Sequence, residues 1–197
     1  TYLGEDALEK GVDVCVSSWQ RAEPNTYPSL AKSAGHYNNA QLIKMEAHVN
    51  GFAEAIALGP GGLVSEGSGQ NVFLVRDGVL RTTGVDGTIL NGITRASIIT
   101  LARDVGIDVE LGTIPREMLY TADEVFFTGT AAEVTPIRSI DRITVGAGTA
   151  GPITRALQQK FLDIVYGRAA DEHGWLTYVE DVRSADAAPD VSSAAAT

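Results

Sequence analysis

The first candidate for chemistry is a lysine set among small residues. Lys32 lies in the run SLAKSAGHYNN, where Ala31, Ser33, Ala34 and Gly35 leave room for a planar ligand to approach its amine. A desolvated lysine loses its charge readily and attacks carbonyl compounds. Composition alone still favours an ordinary surface lysine at this position. The other lysines, which we expect to be solvated, are Lys10, Lys44 and Lys160.

Glu66 is the second candidate, because it lies inside a predicted strand in the run LVSEGSGQN. The glycines at 67 and 69 allow another part of the backbone or a ligand to come close to this carboxylate. If Glu66 is buried, it needs a cationic partner or several hydrogen-bond donors. The alternative is an exposed strand residue with no role in binding.

Two further segments are suited to binding an anion. In NGIT, residues 91–94, a glycine and a threonine stand where a helix begins, so backbone N–H groups, the helix dipole and a hydroxyl converge. In TGTAAE, residues 128–133, Gly129 and two hydroxyl groups lie in a tight bend. Each signal alone is weak, because any capped helix start has these features. Together with the lysine and the carboxylate, they describe a ligand with an aldehyde, a ring nitrogen and a phosphate, which is pyridoxal phosphate.

A mixture of strands and helices must position these residues. The alternating run VDVCVSSW predicts a strand. Asn38 or Asn39 is expected to cap a helix that ends at Gly51. The buried apolar face of that helix is expected to contain Leu42, Ile43, Met45, Ala47 and Val49.

The rest of the chain reads as a strand meander and further helices. Turns are expected at residues 59–62 and at Asp77–Gly78. The later elements are expected to be a helix over 94–105, a strand over 107–111, a short helix from Pro115, two strands around a bend at 128–132, and a helix from Pro152 to about Val165. Because helices and strands mix without strict alternation, the fold class is α+β with a partly antiparallel sheet.

Composition limits the partners and the location. The 197 residues include 25 acidic and 15 basic side chains, and the net charge of −10 disfavours binding to nucleic acid. No apolar run reaches the roughly 18 residues of a membrane span. The single cysteine, Cys15, lies in an apolar run and cannot form an internal disulfide, so we expect a packed thiol in a cytoplasmic protein. No metal is expected.

In order and spacing, five segments closely resemble the C-terminal half of branched-chain amino acid aminotransferases, the fold-type IV class of pyridoxal phosphate enzymes. The resemblance covers residues 1 to about 180. It implies a cofactor-binding C-terminal domain over residues 1–181, with a mixed sheet or pseudo-barrel flanked by helices. Residues 182–197 are expected to be a disordered tail. The five segments are VSSWQRAEPNTYPSLAKSAGHYNN, GLVSEGSGQNVFLVRDGVL, LNGITRASIITLA, ADEVFFTGTAAEVTPIRSID and GPITRALQQKF.

The resemblance implies transamination of leucine, isoleucine and valine with 2-oxoglutarate as the acceptor. Lys32 would form a Schiff base with the cofactor and would move the proton at the substrate Cα. Tyr37 would hydrogen-bond the phenolic oxygen of the cofactor, and an ionised Glu66 would face its pyridine nitrogen. The alternatives within this fold are a D-amino acid aminotransferase and an aminodeoxychorismate lyase.

The resemblance also assigns the phosphate and the substrate carboxylate. The backbone of Ile93 and Thr94 and the hydroxyl of Thr130 would hold the phosphate, while the backbone of Thr130 and Ala131 would help to bind the substrate carboxylate. Family members carry a smaller N-terminal domain that is absent from this chain, and they are typically homodimers or larger homo-oligomers. A non-catalytic fragment is therefore a further alternative, and the chain alone is expected to transaminate poorly.

Overall fold

The computed structural model describes residues 2–4, 6–26 and 28–179. The chain divides into two units, Thr1–Phe161 and Leu162–Thr197. The helices are α1 (Ala7–Lys10), α2 (Tyr37–Val49), α3 (Ile93–Asp104), α4 (Met118–Thr121) and α5 (Pro152–Val165). The strands are β1 (Val12–Gln20), β2 (Glu54–Leu58), β3 (Val64–Gly67), β4 (Asn71–Arg76), β5 (Val79–Thr83), β6 (Val109–Gly112), β7 (Glu124–Gly129), β8 (Glu133–Ile140) and β9 (Ile143–Thr144).

The strands form one mixed sheet in the order β3-β2-β1-β8-β7-β4-β5-β6, with β9 paired to β8. Strand β1 is parallel to both β2 and β8, and β5 is parallel to β6. The remaining pairs, among them β4 with β5 and β7 with β8, are antiparallel. The expected α+β architecture with a mixed sheet is therefore confirmed.

Helix α2 packs on β1 and β2 through one narrow face. Its buried residues are Ala40, Ile43 and Ala47, at the three- and four-residue spacing of a single helix face. Ile43 and Ala47 share an apolar cluster with Cys15 of β1. Cys15 is buried, as expected, and this burial raises the pKa of its thiol to about 11.

Two expectations for α2 are wrong. The helix starts at Tyr37, directly after a turn of 3₁₀-helix at 34–36, and no side chain caps it. The Asn39 side chain instead donates from Nδ2 to the Gln20 carbonyl at 3.0 Å, which ties the helix to the end of β1. The buried face is also narrower than expected, because Leu42, Met45 and Val49 are exposed.

The turns and later elements mostly agree with the predictions made from the sequence. Asp77 and Gly78 have φ values of 53° and 77°, as the two central residues of a type I′ hairpin require, and they join β4 to β5. Helix α3 and strand β6 lie within two residues of their expected bounds. Pro115 does not start a helix: it forms an isolated bridge with Leu63, and α4 begins three residues later.

Helix α5 begins at Pro152 and ends at Val165, as predicted. The second unit is described as far as residue 179, and within it Asp171 Oδ2 accepts a hydrogen bond from the Leu176 N–H at 2.7 Å. The expected tail at 182–197 lies outside the described residues. Within the described residues, no helix has the length and apolar character needed to cross a membrane.

Candidate active site

One pocket of about 280 Å³ brings together most of the residues singled out in the sequence. Its wall comes from the β1–α2 connection, β3 and the turn after it, the start of α3, and the end of β7. The predicted site residues among those that line it are Lys32, Tyr37, Glu66, Ile93, Thr94 and Thr130. Segments distant in sequence thus meet at one place, as a single ligand would require.

Glu66 of β3 lines this pocket, and only 3% of its surface is exposed. Its Oε1 accepts a short hydrogen bond from Arg21 Nη2. Its Oε2 accepts from Asn71 Nδ2 at 3.0 Å and from the Leu90 N–H at 3.1 Å. Burial raises the pKa of the Glu66 carboxyl above its ordinary value, while Arg21 and the Leu90 N–H act in the opposite direction.

Arg21 is a functional candidate that the sequence interpretation missed. It follows β1 directly, and its Nη1 donates to Asn39 Oδ1 at 3.4 Å, so α2 helps to aim it at Glu66. A signal was available in the sequence, because a buried carboxylate needs a cation or several donors. The pairing joins residues 45 positions apart, however, and nothing local identifies Arg21 as the partner.

Lys32 and Tyr37 stand on the α2 side of the pocket. Lys32 lies in the irregular connection between β1 and α2, is exposed, and lines the pocket with its small neighbours Ala31 and Ser33. Tyr37 is the first residue of α2 and is half exposed at the pocket rim. Lys32 and Tyr37 therefore line the same pocket as Glu66.

The start of α3 forms another part of the pocket wall. Gly92 precedes the helix and no side chain caps it, so the first N–H groups of α3 are left for other acceptors. A Cβ at Gly92 would collide with Asn71 Oδ1, so a larger residue here would displace the side chain that donates to Glu66. Ile93 and Thr94 line the pocket at this point, and Thr94 is buried. This arrangement is suited to an anion.

The end of β7 also contributes to that wall. Gly129 and Thr130 line the pocket, and the Thr128 hydroxyl is buried in its wall with no hydrogen-bond partner. Ala131 follows Thr130 but is not among the lining residues, so the role that the resemblance gives it stays a prediction.

Lys44 does not behave as expected, because it is not a solvated side chain. Its Nζ lies 2.9 Å from Oε2 of the fully buried Glu54 and 2.8 Å from the Ala53 carbonyl. The same Glu54 oxygen accepts from Gln70 Nε2 at 2.9 Å, and Gln70 lines the pocket. This ion pair therefore anchors the turn that follows β3, and Lys44 is committed to a carboxylate.

Comparison with known proteins agrees with this geometry. Residues 2–140 match the family of class IV aminotransferases. The branched-chain-amino-acid aminotransferase of Escherichia coli K12 is 51% identical over 178 residues, which cover 90% of this chain and 58% of that protein. The corresponding enzyme of Pseudomonas aeruginosa is 46% identical over 179 residues, covering 91% and 58% of the two chains.

Solved structures of branched-chain amino acid aminotransferases are also similar to this chain. A crystal structure of the Escherichia coli branched-chain amino acid aminotransferase superposes with a TM-score of 0.88 at 50% identity, covering 90% of this chain and 59% of that one. The T.th. branched-chain amino acid aminotransferase complexed with N-(5′-phosphopyridoxyl)-L-glutamate gives 0.84 at 48% identity, covering 87% and 57%. The chain belongs to the class IV aminotransferases, and it spans a little under three fifths of the length of these relatives.

The Arg21–Glu66 pair leads to a pH-dependent prediction for Arg21→Met. The variant leaves the Glu66 carboxylate buried without its cation, which costs about 3 kcal/mol of unfolding free energy near pH 8. Loss of Arg21 raises the folded-state pKa of Glu66 further above its unfolded value of about 4.3, so the cost shrinks as pH falls and the folded state takes up a proton. Urea unfolding near pH 5 and pH 8 measures the difference.

Two controls accompany this measurement. Glu66→Gln in the Arg21→Met background removes the stranded charge and should recover part of the loss near pH 8. Arg81→Met breaks a more exposed pair with Glu110 and should cost less than about 1 kcal/mol. An Arg21→Met loss that is equal at both pH values would contradict the role given to the pair.

Proposed function

We propose that the protein is a branched-chain-amino-acid transaminase that uses pyridoxal 5′-phosphate. The observation that carries this proposal is the meeting of an exposed lysine, a buried carboxylate and an uncapped helix start around one pocket. The family, the names of the relatives and the phosphopyridoxyl and pyridoxamine ligands of the neighbours support it. Because the chain spans only part of those relatives, the activity of the whole protein is inferred.

The pocket fits the cofactor on the chemistry of its own groups. A phosphate needs N–H donors and hydroxyls, which the start of α3, Thr94 and Thr130 offer. A ring nitrogen that carries a proton needs an acceptor, which the Glu66 carboxylate offers. The buried Thr128 hydroxyl without a partner is a further polar group in this wall. We propose Lys32 as the point of covalent attachment.

When it is bound, pyridoxal phosphate supplies an electron sink for the electron pair left at Cα after proton loss. Lys32 Nζ would take that proton as a general base. It would then return the proton, as a general acid, to the C4′ carbon of the cofactor. Glu66, held ionised by Arg21, would stabilise positive charge on the ring nitrogen. Tyr37 would donate to the phenolic oxygen, and Thr130 with Ala131 would orient the substrate carboxylate.

Several parts of the proposal concern the whole protein. The acceptor is proposed to be 2-oxoglutarate, and residues 1–181 are proposed to form its cofactor-binding domain. A preceding smaller domain would complete the substrate side of the pocket, consistent with the share of the relatives that this chain leaves unmatched. A homo-oligomer and a cytoplasmic location stay predictions from the sequence.

A single-turnover measurement tests the activity. The chain loaded with pyridoxal phosphate is mixed with excess L-leucine or D-alanine, and the released 2-oxo acid is quantified. We expect oxo acid from L-leucine in excess over D-alanine, none with Lys32→Arg, and an unchanged yield with the surface control Lys10→Arg. Preference for D-alanine would favour the D-amino acid enzyme, and no oxo acid from either substrate would favour a non-catalytic fragment.

A second test concerns the phosphate. Replacing Thr94 and Thr130 together by valine keeps their shape and removes the hydroxyls of two residues that line the pocket. Hydrogen bonds to a charged group contribute about 1.5–3 kcal/mol, so affinity for pyridoxal phosphate should fall at least about tenfold. Affinity for pyridoxal, which lacks the phosphate, should hardly change. Equilibrium dialysis with both ligands measures this, and equal losses for the two would place the phosphate elsewhere.

A further inference from the structure

Arg95 is a buried cation that the proposed reaction leaves unused. It lies in the first turn of α3 with 3% of its surface exposed. Its Nη2 donates to the Thr83 carbonyl at 2.7 Å and its Nη1 to Asn91 Oδ1 at 3.2 Å, while its buried Nε has no partner. These partners are neutral, and among the described residues no ion pair includes Arg95. A buried charge in this state is costly unless it interacts with an anion nearby.

The first hydrogen bond of Arg95 leads to the strand that carries Glu66. Thr83 ends β5, and its hydroxyl donates to the Ser65 carbonyl at 3.0 Å. Ser65 precedes Glu66 in β3. The guanidinium thus joins α3 to the end of β5, and the Thr83 hydroxyl joins β5 to the backbone immediately before the carboxylate.

The second hydrogen bond leads to the donors of Glu66. Asn91 follows Leu90, whose N–H donates to Glu66 at 3.1 Å. The Leu90 carbonyl accepts from Asn71 Nδ2 at 2.8 Å, and the same Nδ2 also donates to Glu66. Holding Asn91 therefore holds the segment whose Leu90 N–H donates to the carboxylate and whose Leu90 carbonyl positions the second donor, Asn71.

Arg95 and Glu66 also interact through their charges. Burial lowers the pKa of the Arg95 guanidinium, and the Glu66 carboxylate acts against that change. In return, Arg95 and Arg21 both act against the rise that burial produces in the pKa of Glu66. The other titratable groups lining this pocket are Lys32, His36 and Tyr37.

We infer that Arg95 is a positioning residue of the pocket, which holds the Leu90–Asn91 segment and, as a second cation beside Arg21, keeps Glu66 ionised near neutral pH. The inference rests on the proposed function, because an ionised Glu66 matters there for charge on the ring nitrogen. It assigns Arg95 an electrostatic effect that acts through Glu66, without contact between Arg95 and a ligand.

The test is a titration of Glu66 in the ligand-free chain. Protein labelled with ¹³C at glutamate Cδ is followed by NMR, and the Glu66 resonance is identified by its loss in Glu66→Gln. Arg95→Met removes the charge, and we expect the Glu66 midpoint to rise by about one pH unit or more, since a nearby cation lowers a carboxyl pKa by about 1–3 units. Arg95→Lys keeps the charge and should leave the midpoint close to that of the unmodified chain.

Arg103→Met is the matched control, because Arg103 is exposed near the other end of α3 and should leave the midpoint unchanged. A purely structural role would lower stability in Arg95→Met without moving the midpoint, and that result would overturn the inference. Should Arg95→Met not fold, Arg95→Gln removes the same charge, keeps a donor for Thr83, and is judged by the same midpoint.

Cofactor binding separates this inference from the proposed function. Dialysis of the unmodified chain against pyridoxal phosphate decides whether the pocket takes the cofactor at all. Absence of binding would refute the proposed function, while the ligand-free titration would still decide the role of Arg95. If the cofactor binds and Arg95→Met leaves the Glu66 midpoint unchanged, only the inference about Arg95 is overturned.

Discussion

The burial of the Glu66 carboxylate is the constraint on which the pocket depends. Removing an ionised carboxylate from water costs several kcal/mol unless a cation and donors replace the water. Here the replacements come from Arg21 after β1, Asn71 in β4 and the Leu90 N–H before α3. Satisfying one side chain therefore requires three distant segments to converge, and their convergence places the other groups of the pocket around the same space.

Ion pairing distinguishes Lys32 from two of the other lysines, Lys10 and Lys44. Lys10 pairs with Asp6 at 2.6 Å and Lys44 with Glu54 at 2.9 Å, so each of these two ammonium groups already contacts a carboxylate. None of the ion pairs among the described residues includes Lys32, which lies beside small side chains at the pocket wall. The amine proposed to react is thus the one at the pocket that no carboxylate holds.

Local features of the sequence predicted local structure well. The Asp77–Gly78 turn, the glycine after α2 and the proline that opens α5 each depend on the conformational limits of one or two residues. The start of α2 was mispredicted because the Asn39 side chain bonds to Gln20, far along the chain, and does not cap its own helix. Pro115 was misassigned because it pairs with Leu63. In both cases a tertiary contact overrode a local preference.

The residues of the candidate site likewise include some that local motifs predicted and some that they did not. Motifs pointed to Glu66, Thr94 and Thr130. Arg21 and Arg95 were missed, because Glu66, to which Arg21 donates, and Thr83, to which Arg95 donates, lie in other elements, and no local motif identifies these pairs. The most direct test of the central claim is borohydride reduction of the chain with pyridoxal phosphate, followed by peptide mapping. We expect a reduced pyridoxyl label on Lys32 at one equivalent or less, with Lys10, Lys44 and Lys160 unlabelled. A label distributed over all four lysines, or confined to one of the other three, would contradict it.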